Sequence, residues 1–347
     1  MLHIYSTPFI SFNPFTHLKP FLHCVSPLRI LLTLVVLALS ALPAGAWNSV
    51  GHWTVAELAW QRMDAAERQA ASNLLRQHPH YKQILIAEIP AGADTNHWAF
   101  LNAAVWLDMI RPAKRGQPHK PHSITKYNIY PHAIGHPFLR PADRGRISLS
   151  KFFIAKPNAE MVLSNALVTL RNPKASAHDR AVSLCVALHL FGDLHQPLHT
   201  ANLVTRDKPK GHGLGSSFLV RDERGEVTNL HTYWDYSPGH DVSIQSAVAL
   251  AGQLAAAPEL QPARLPEYDQ HRTIPAWVQE SFKAAVEFAY AENRVQFADA
   301  ADVKSGKIAE SAIPVLPDDY VRETQEVARR RLALAAWRLT DELKEVW

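Results

Sequence analysis

Cysteine is nearly absent from this chain, whose 347 residues include only Cys24 and Cys185. No Cys-x-x-Cys-His motif occurs, so nothing indicates covalent haem attachment. Cys24 lies in a segment that we expect to be removed, which leaves Cys185 without a partner for an internal disulfide. The mature fold must therefore be stabilised by packing or by metal binding.

A hydrophobic run long enough to cross a membrane is also missing. Within the most apolar part of the chain, which includes "LLTLVVLALSALPAGA", the uninterrupted apolar run covers only 30–39, whereas a transmembrane helix needs ~20 residues. This part of the chain follows Arg29 and ends in Ala-Gly-Ala at 44–46, a typical small-x-small cleavage site. We predict a secretory signal peptide at 1–46, cleaved before Trp47, and expect a secreted or periplasmic protein without stable membrane association. An uncleaved N-terminal anchor is the alternative.

Strong charge of one sign is lacking too. The net formal charge of the chain is +4, and loss of Lys19 and Arg29 with the predicted signal leaves +2. Such a small excess gives no argument for nucleic-acid binding from charge alone. Histidine, in contrast, is frequent. The chain has 19 histidines, and only three of them precede Trp47. Histidine is the commonest metal ligand near neutral pH.

Alternation with period two is almost absent, whereas helical spacing of apolar residues runs through most of the chain. We predict helices over 53–77, 96–111, 157–172, 176–199, 243–257, 274–292 and 317–345. Ser176 and Asp179 form a candidate N-cap. A short hairpin or a loop is expected over 216–231, and 112–150 is expected to be irregular. The fold class is therefore mainly α, a single helical domain over 47–347. Four tryptophans at helical positions are interpreted as core residues: Trp60, Trp106, Trp277 and Trp337.

The segment "GDLHQPLH" ends an apolar stretch that is typical of a buried helix. His189 and Asp193 are four residues apart, so they share one helix face and can bind one divalent cation. Pro197 removes a helical hydrogen bond and bends the chain, which can turn His199 towards the same cavity. His195 is interpreted as structural.

A second pair with the same spacing, His231 and Asp235, lies in "NLHTYWDY", and His52 and Asp108 supply two more donors. A single pair of this kind usually lies on a solvated helix surface and binds no metal. Two pairs, one of them in a strongly apolar helix, favour a metal site, because an unpaired histidine or carboxylate in a core costs several kcal/mol.

These residues match a known pattern: the chain resembles the S1/P1 nuclease family, zinc-dependent enzymes that cleave single-stranded nucleic acids. The resemblance rests on "WNSVGH" at the new N-terminus, "WLDMIR", "LHLFGDLHQPLH" and "TNLHTYWD", which occur in this order over 47–235. It implies a helical fold of the zinc phospholipase C and P1 nuclease type. Single-stranded DNA or RNA and nucleotides would be the substrates, and no protein partner is implied.

The resemblance also implies three zinc ions, with Asp193 bridging two of them. The implied ligands are Trp47, through its α-amino group and carbonyl oxygen, and His52, Asp108, His122, His189, Asp193, His199, His231 and Asp235. Cleavage before Trp47 would free an α-amine, whose usual pKa of ~7.7–8 lets it lose its proton to a metal at modest cost.

The identity of the histidine ligand that follows Asp108 in the sequence is the least certain part of this ligand set. His119, His122 and His132 are all available, and we choose His122, although the aromatic segment that surrounds the family's histidine is not intact here. The family's Gly-Gly-Asn stretch is also replaced, by "HGLGSS". The sequence therefore does not define the nucleobase-binding surface or the substrate preference.

The implied reaction is in-line phosphodiester hydrolysis that yields 5′-phosphates. Two zinc ions would lower the pKa of a shared water, and the third would stabilise the departing 3′-oxygen. Asp108 and Asp193 would be the central catalytic ligands. Arg111, one turn after Asp108, would clamp a phosphate oxygen, or is simply a surface arginine. Three aromatic residues are candidates to stack on an unpaired base or merely pack: Tyr127, Tyr130 and Phe138.

Two other functions remain open at this point. A zinc phospholipase C would use a similar cluster and a similar N-terminal tryptophan to cleave a different phosphodiester. An exported zinc-binding protein without catalysis would need no open coordination position. The sequence motifs "GDLHQPLH" and "TNLHTYWD" favour the nuclease.

Overall fold

The computed structural model describes residues 47–112, 119–150, 152–291 and 294–347, so the predicted signal peptide lies outside the described residues. The described part is mainly helical and groups as one unit, which confirms the predicted fold class. Its α-helices are α1 (Ser49–Arg62), α2 (Ala65–Leu75), α3 (Thr95–Met109), α4 (His122–Thr125), α5 (Ala159–Arg171), α6 (Ala177–His195), α7 (Leu230–Tyr236), α8 (Ile244–Ala256), α9 (Pro266–Gln270), α10 (Ile274–Ala284), α11 (Ala300–Lys304) and α12 (Asp318–Lys344).

The first predicted helix, 53–77, is in fact two helices. The Asp64 side chain accepts a hydrogen bond from the Glu67 N–H at 2.8 Å, and the Glu67 carboxylate accepts one from the Asp64 N–H at 2.7 Å. This reciprocal capping box begins α2. Met63 already has an extended conformation, so the capping signal interrupts an otherwise continuous helical pattern.

Helix α6 carries the predicted histidine–aspartate pair and is buried without a break from Ala181 to His195. Ser176 caps it as predicted, accepting the Asp179 N–H at 3.0 Å. It packs against α3, α5 and α12, which enclose it on several sides. The helix ends at His195, and a separate 3-10 turn at Pro197–His199 replaces the end of the predicted helix.

Short strands complete the described part of the fold: β1 (His136–Phe138), β2 (Ala201–Leu203), β3 (Phe218–Arg221), β4 (Val227–Asn229) and β5 (Ala298–Asp299). Strands β3 and β4 form the predicted antiparallel hairpin, and Gly225 supplies the positive φ of 80° that its turn uses. Strand β1 pairs in parallel with β2, with His136 opposite Ala201. This pairing holds the segment before β1 beside the turn that follows α6.

The largest apolar core is formed mainly by α1, α2, α3, α5, α6 and α12, and it contains the four tryptophans predicted to be core residues. A second core lies around β2, β3 and α7 and includes Phe138, Trp234 and Tyr290. Among the described helices, none combines the length and the hydropathy that a membrane crossing requires.

Candidate metal centre

Side chains from distant parts of the chain converge in three groups. Within each group, one ligand atom per residue lies within 4.8 Å of the others. The groups are His52, His189 and Asp193; Asp108, His132 and His189; and His199, His231 and Asp235. All the side chains that the sequence predicted as ligands are therefore brought together, except His122.

The local structure explains how these residues meet. His52 lies in the first turn of α1 and Asp108 in the last turn of α3. His189 and Asp193 occupy one face of α6, as their spacing predicted. His199 is the last residue of the 3-10 turn that begins at Pro197, where the chain leaves the direction of α6.

Asp193 is the centre of the arrangement. Its Oδ2 lies 3.0 Å from His132 Nδ1 and 3.2 Å from His189 Nε2. Its Oδ1 lies 3.5 Å from His52 Nε2 and 3.6 Å from His199 Nδ1. Burial alone would raise the pKa of Asp193, but the neighbouring His189 and His199 hold this pKa well below its usual range. An ionised carboxylate that reaches all three groups is suited to bridge cations.

Three of the histidines are held by backbone carbonyl groups. A carbonyl can only accept, so in each case Nδ1 carries a proton, and Nε2 is the ring nitrogen that can bind a metal. This is the usual way in which proteins orient metal-binding imidazoles. The pairs are His189 Nδ1 with Ala104 O at 2.7 Å, His199 Nδ1 with His132 O at 2.8 Å, and His231 Nδ1 with Leu214 O at 2.8 Å.

Several buried polar atoms at the centre lack a hydrogen-bond partner among the described residues. They are both ring nitrogens of His52, Nε2 of His132 and Oδ1 of Asp193. Such atoms are rare in folded proteins because leaving them unpaired is costly. Burial, and then the charge of His189, lowers the pKa of His52 to about 3, so its imidazole is neutral. Imidazole nitrogens around an ionised carboxylate are a donor set that fits zinc.

Asp108 and Arg111 form a pair at the rim of the centre. Arg111 follows the end of α3, and its Nη2 lies 2.9 Å from Asp108 Oδ1. Burial would raise the pKa of Asp108, but His189 and Arg111 lower it below its usual value. The arginine side chain keeps 21 % of its surface exposed and is therefore within reach of a ligand.

The third group is buried like the first. His231 Nε2 lies 3.6 Å from Asp235 Oδ2, and both residues are on α7. Burial raises the pKa of Asp235 well above its usual value, against the effect of a hydrogen bond from Gln196. This contact with Gln196 was not anticipated from the sequence.

Trp47, the residue predicted to become N-terminal, is fully buried beside the centre. A Cβ built on Gly192 would lie 3.6 Å from Trp47 Cδ1 and 2.7 Å from His52 Nδ1, so α6 packs directly against both rings. The Asn48 N–H donates to the Asp235 carbonyl at 2.9 Å, which ties this end of the chain to α7. A ligand role for the α-amino group of Trp47 stays a prediction.

His122 is not placed at the centre, which corrects our choice among the three histidines. Its side chain is exposed at the start of α4, whereas His132 lies against Asp193 and 3.9 Å from Asp108 Oδ1. Of the three histidines, the one farthest from Asp108 in sequence is therefore the one that lies at the centre. A signal was present two residues earlier: Tyr130, an aromatic residue, packs against the large core and anchors this stretch.

The aromatic residues considered as base platforms mostly pack inside the protein. Tyr127 and Tyr130 contact the large core, and Phe138 is only 8 % exposed beside Tyr290. The Tyr127 hydroxyl also lies 3.2 Å from His178 Nε2. Packing is therefore the interpretation that their positions favour.

The chain is similar to known proteins in both family pattern and sequence. The model of a family described as S1/P1 Nuclease matches residues 47–347. Nuclease S1 of Aspergillus oryzae (strain ATCC 42149 / RIB 40) is 28 % identical over 200 residues. This alignment covers 57 % of the present chain and 56 % of the fungal protein, so the chain spans little more than half the length of this relative.

Proposed function

Because this chain belongs to the S1/P1 nuclease family, we propose that it is a zinc-dependent phosphodiesterase. Its substrates are single-stranded DNA and RNA, its products are 5′-nucleotides, and the same site removes 3′-phosphates from nucleotides. The observation that carries the proposal is the position of Asp193, within 3.6 Å of nitrogen atoms from four histidines. We also propose that residues 1–46 form a secretory signal and that the enzyme is exported.

Three zinc ions would be held by the three groups. His52 and Asp193 would share the first position with the α-amino group of Trp47, and Asp193 would extend to a second position. The second position takes Asp108, His132 and His189, and the third takes His199, His231 and Asp235. When bound, zinc lowers the pKa of water towards ~7 and polarises phosphoryl oxygens.

The chain's own residues prepare this chemistry. The carbonyl groups that accept from the Nδ1 atoms hold these imidazole rings before any ion binds, so that Nε2 is the nitrogen directed to an ion. Asp193 stays ionised in the buried centre. Arg111 is held at the rim by Asp108, and its guanidinium would stabilise negative charge on a phosphate oxygen in the transition state.

The test uses purified protein that begins at Trp47. Its zinc content is measured, and hydrolysis is compared on heat-denatured DNA, RNA and a phosphatidylcholine emulsion, before chelation, after chelation and after zinc is restored. We expect about three zinc ions per chain and zinc-dependent hydrolysis of both nucleic acids. Faster hydrolysis of the emulsion would identify a phospholipase instead. Full zinc loading without hydrolysis of any substrate would identify a zinc-binding protein, and either result would overturn the proposal.

A further inference from the structure

Gln196 is a fully buried amide between two predicted ligand segments. It is the first residue after α6 and precedes the turn that carries His199. Its Oε1 accepts the Leu198 N–H at 2.5 Å, and its Nε2 donates to Asp235 Oδ1 at 2.7 Å. The orientation of the amide is fixed by the Leu198 N–H, because a backbone N–H only donates, so Oε1 must face it and Nε2 must face Asp235.

The hydrogen bond uses one of the two carboxylate oxygens of Asp235. With Oδ1 held by Gln196, Oδ2 is the oxygen that faces the His231 ring, at 3.6 Å from Nε2. The His231 ring is fixed in turn by the Leu214 carbonyl. Gln196 therefore determines which oxygen of Asp235 is directed into the group formed with His199 and His231.

We propose that Gln196 is a positioning residue for the third cation position, acting through the carboxylate of Asp235. The inference rests on the proposed zinc centre and adds a residue that does not itself bind an ion. Loss of an outer partner of this kind typically weakens metal binding by about 10–100-fold. The other two positions share no residue with this hydrogen bond, so their zinc affinity should change little.

A simpler role is that Gln196 only caps the Leu198 N–H and shapes the turn. The two roles predict different zinc affinities when substitutions of Gln196 and Asp235 are combined. If it acts through the carboxylate, Gln196→Met and Asp235→Asn should weaken the same ion, and the double variant should be little worse than Asp235→Asn. If it only shapes the turn, the two effects should add, because the turn is damaged whichever residue stands at 235.

The experiment measures zinc affinity by competition with a chromophoric chelator, together with the melting temperature of each zinc-free protein. In Gln196→Met we expect one of three ions to bind about 10–100-fold more weakly. Gln196→Glu is the second variant, since it keeps an acceptor for the Leu198 N–H but replaces the donor to Asp235 with a carboxylate oxygen. It should weaken the same ion even if the methionine variant does not fold.

Gln61→Met is the matched control. Gln61 also donates to a carboxylate at 2.7 Å, that of Glu57, away from the three groups. Its zinc affinity should equal that of the wild type. Unchanged zinc binding in the folded Gln196 variants, or strictly additive effects with Asp235→Asn, would overturn the inference. A wild-type protein that binds fewer than three ions would instead count against the proposed centre, so the two failures are distinguishable.

Discussion

The backbone of Gly192 lies directly against the ring of His52. A Cβ built on Gly192 would be 2.7 Å from Nδ1 and 2.9 Å from Cε1 of that ring. His52 is fully buried and stacks on His189 with ring centroids 3.9 Å apart, so the ring has little room to move. Glycine is thus needed here for the position of a proposed ligand, although most residues could continue the helix.

Gly192→Ala should displace the His52 ring and reduce nuclease activity by about 100-fold, since small misplacements of reacting groups have effects of that size. Steady-state hydrolysis of denatured DNA and zinc content measure the effect. Gly252→Ala is the control, because Gly252 also lies inside a helix but a Cβ there meets nothing within 4 Å. It should keep full activity and gain about 0.5–1 kcal/mol of stability. Equal activity of the two variants would contradict this account of Gly192.

Extension of the mature chain should impair metal binding. A protein that keeps even one residue ahead of Trp47 has an amide in place of the α-amine, and an amide nitrogen cannot donate a lone pair to zinc in the same way. We expect fewer than three zinc ions per chain and loss of most activity, measured together with N-terminal sequencing of the sample. Equal specific activity of extended and mature proteins would remove Trp47 from the ligand set.

Asp193→Asn should be more harmful than Asp235→Asn. Asp193 contacts residues of all three groups, whereas Asp235 belongs to one. Loss of the central negative charge should therefore affect at least two ions, and loss of the peripheral charge only one. Zinc content per folded chain distinguishes the two results. A larger loss in Asp235→Asn would contradict the bridging role.

His132→Ala and His122→Ala form a matched pair of substitutions ten residues apart. His132 lies 3.0 Å from Asp193 Oδ2, and His122 is exposed on α4. We expect His132→Ala to lose one zinc ion and to reduce activity by about 10²-fold or more, whereas His122→Ala resembles the wild type. The reverse result would restore His122 as the ligand.

His78 should make the protein less stable in acid. Its Nδ1 accepts the His80 N–H at 3.1 Å, and its Nε2 has no hydrogen-bond partner among the described residues. Burial, followed by the charge of His80, lowers the pKa of His78 to about 3. Below its ordinary pKa of 6.5 the unfolded chain takes up a proton that the folded chain refuses, so the free energy of unfolding falls as the pH falls towards 3.

His78→Asn keeps an acceptor close to Nδ1 and removes this titration. Between pH 7 and pH 5 the wild type should lose about 2 kcal/mol more unfolding free energy than the variant. Urea unfolding of both proteins in saturating zinc measures the difference, and the common effects of other histidines cancel. Parallel stability curves would mean that His78 does not resist protonation in the folded protein.

The helices and the paired ligands could be read from the sequence because both depend on local geometry. The i, i+4 spacing of His189 with Asp193 requires only that the segment be helical, and the apolar pattern established that. The separation of α1 from α2 was missed because their apolar spacing is continuous. The capping pair Asp64 and Glu67 was visible in the sequence and marks the break.

The remaining parts of the site depend on contacts between distant segments. Ala104 orients His189 with a carbonyl group, which no side-chain pattern can reveal. The choice of His132 depends on the path of an irregular segment, and local propensity does not determine such a path. Gln196 lies within the quoted motif, but its role required the position of Asp235, 39 residues away.

His132 is engaged at both of its ends: its ring lies against Asp193, and its carbonyl accepts the Nδ1–H of His199. The same residue therefore helps to build the second and the third cation positions. Occupation of either position restrains this residue and reduces the entropy that remains to be lost at the other. Zinc at one of these positions should consequently favour zinc at the other, by a factor much smaller than the effect of losing a ligand.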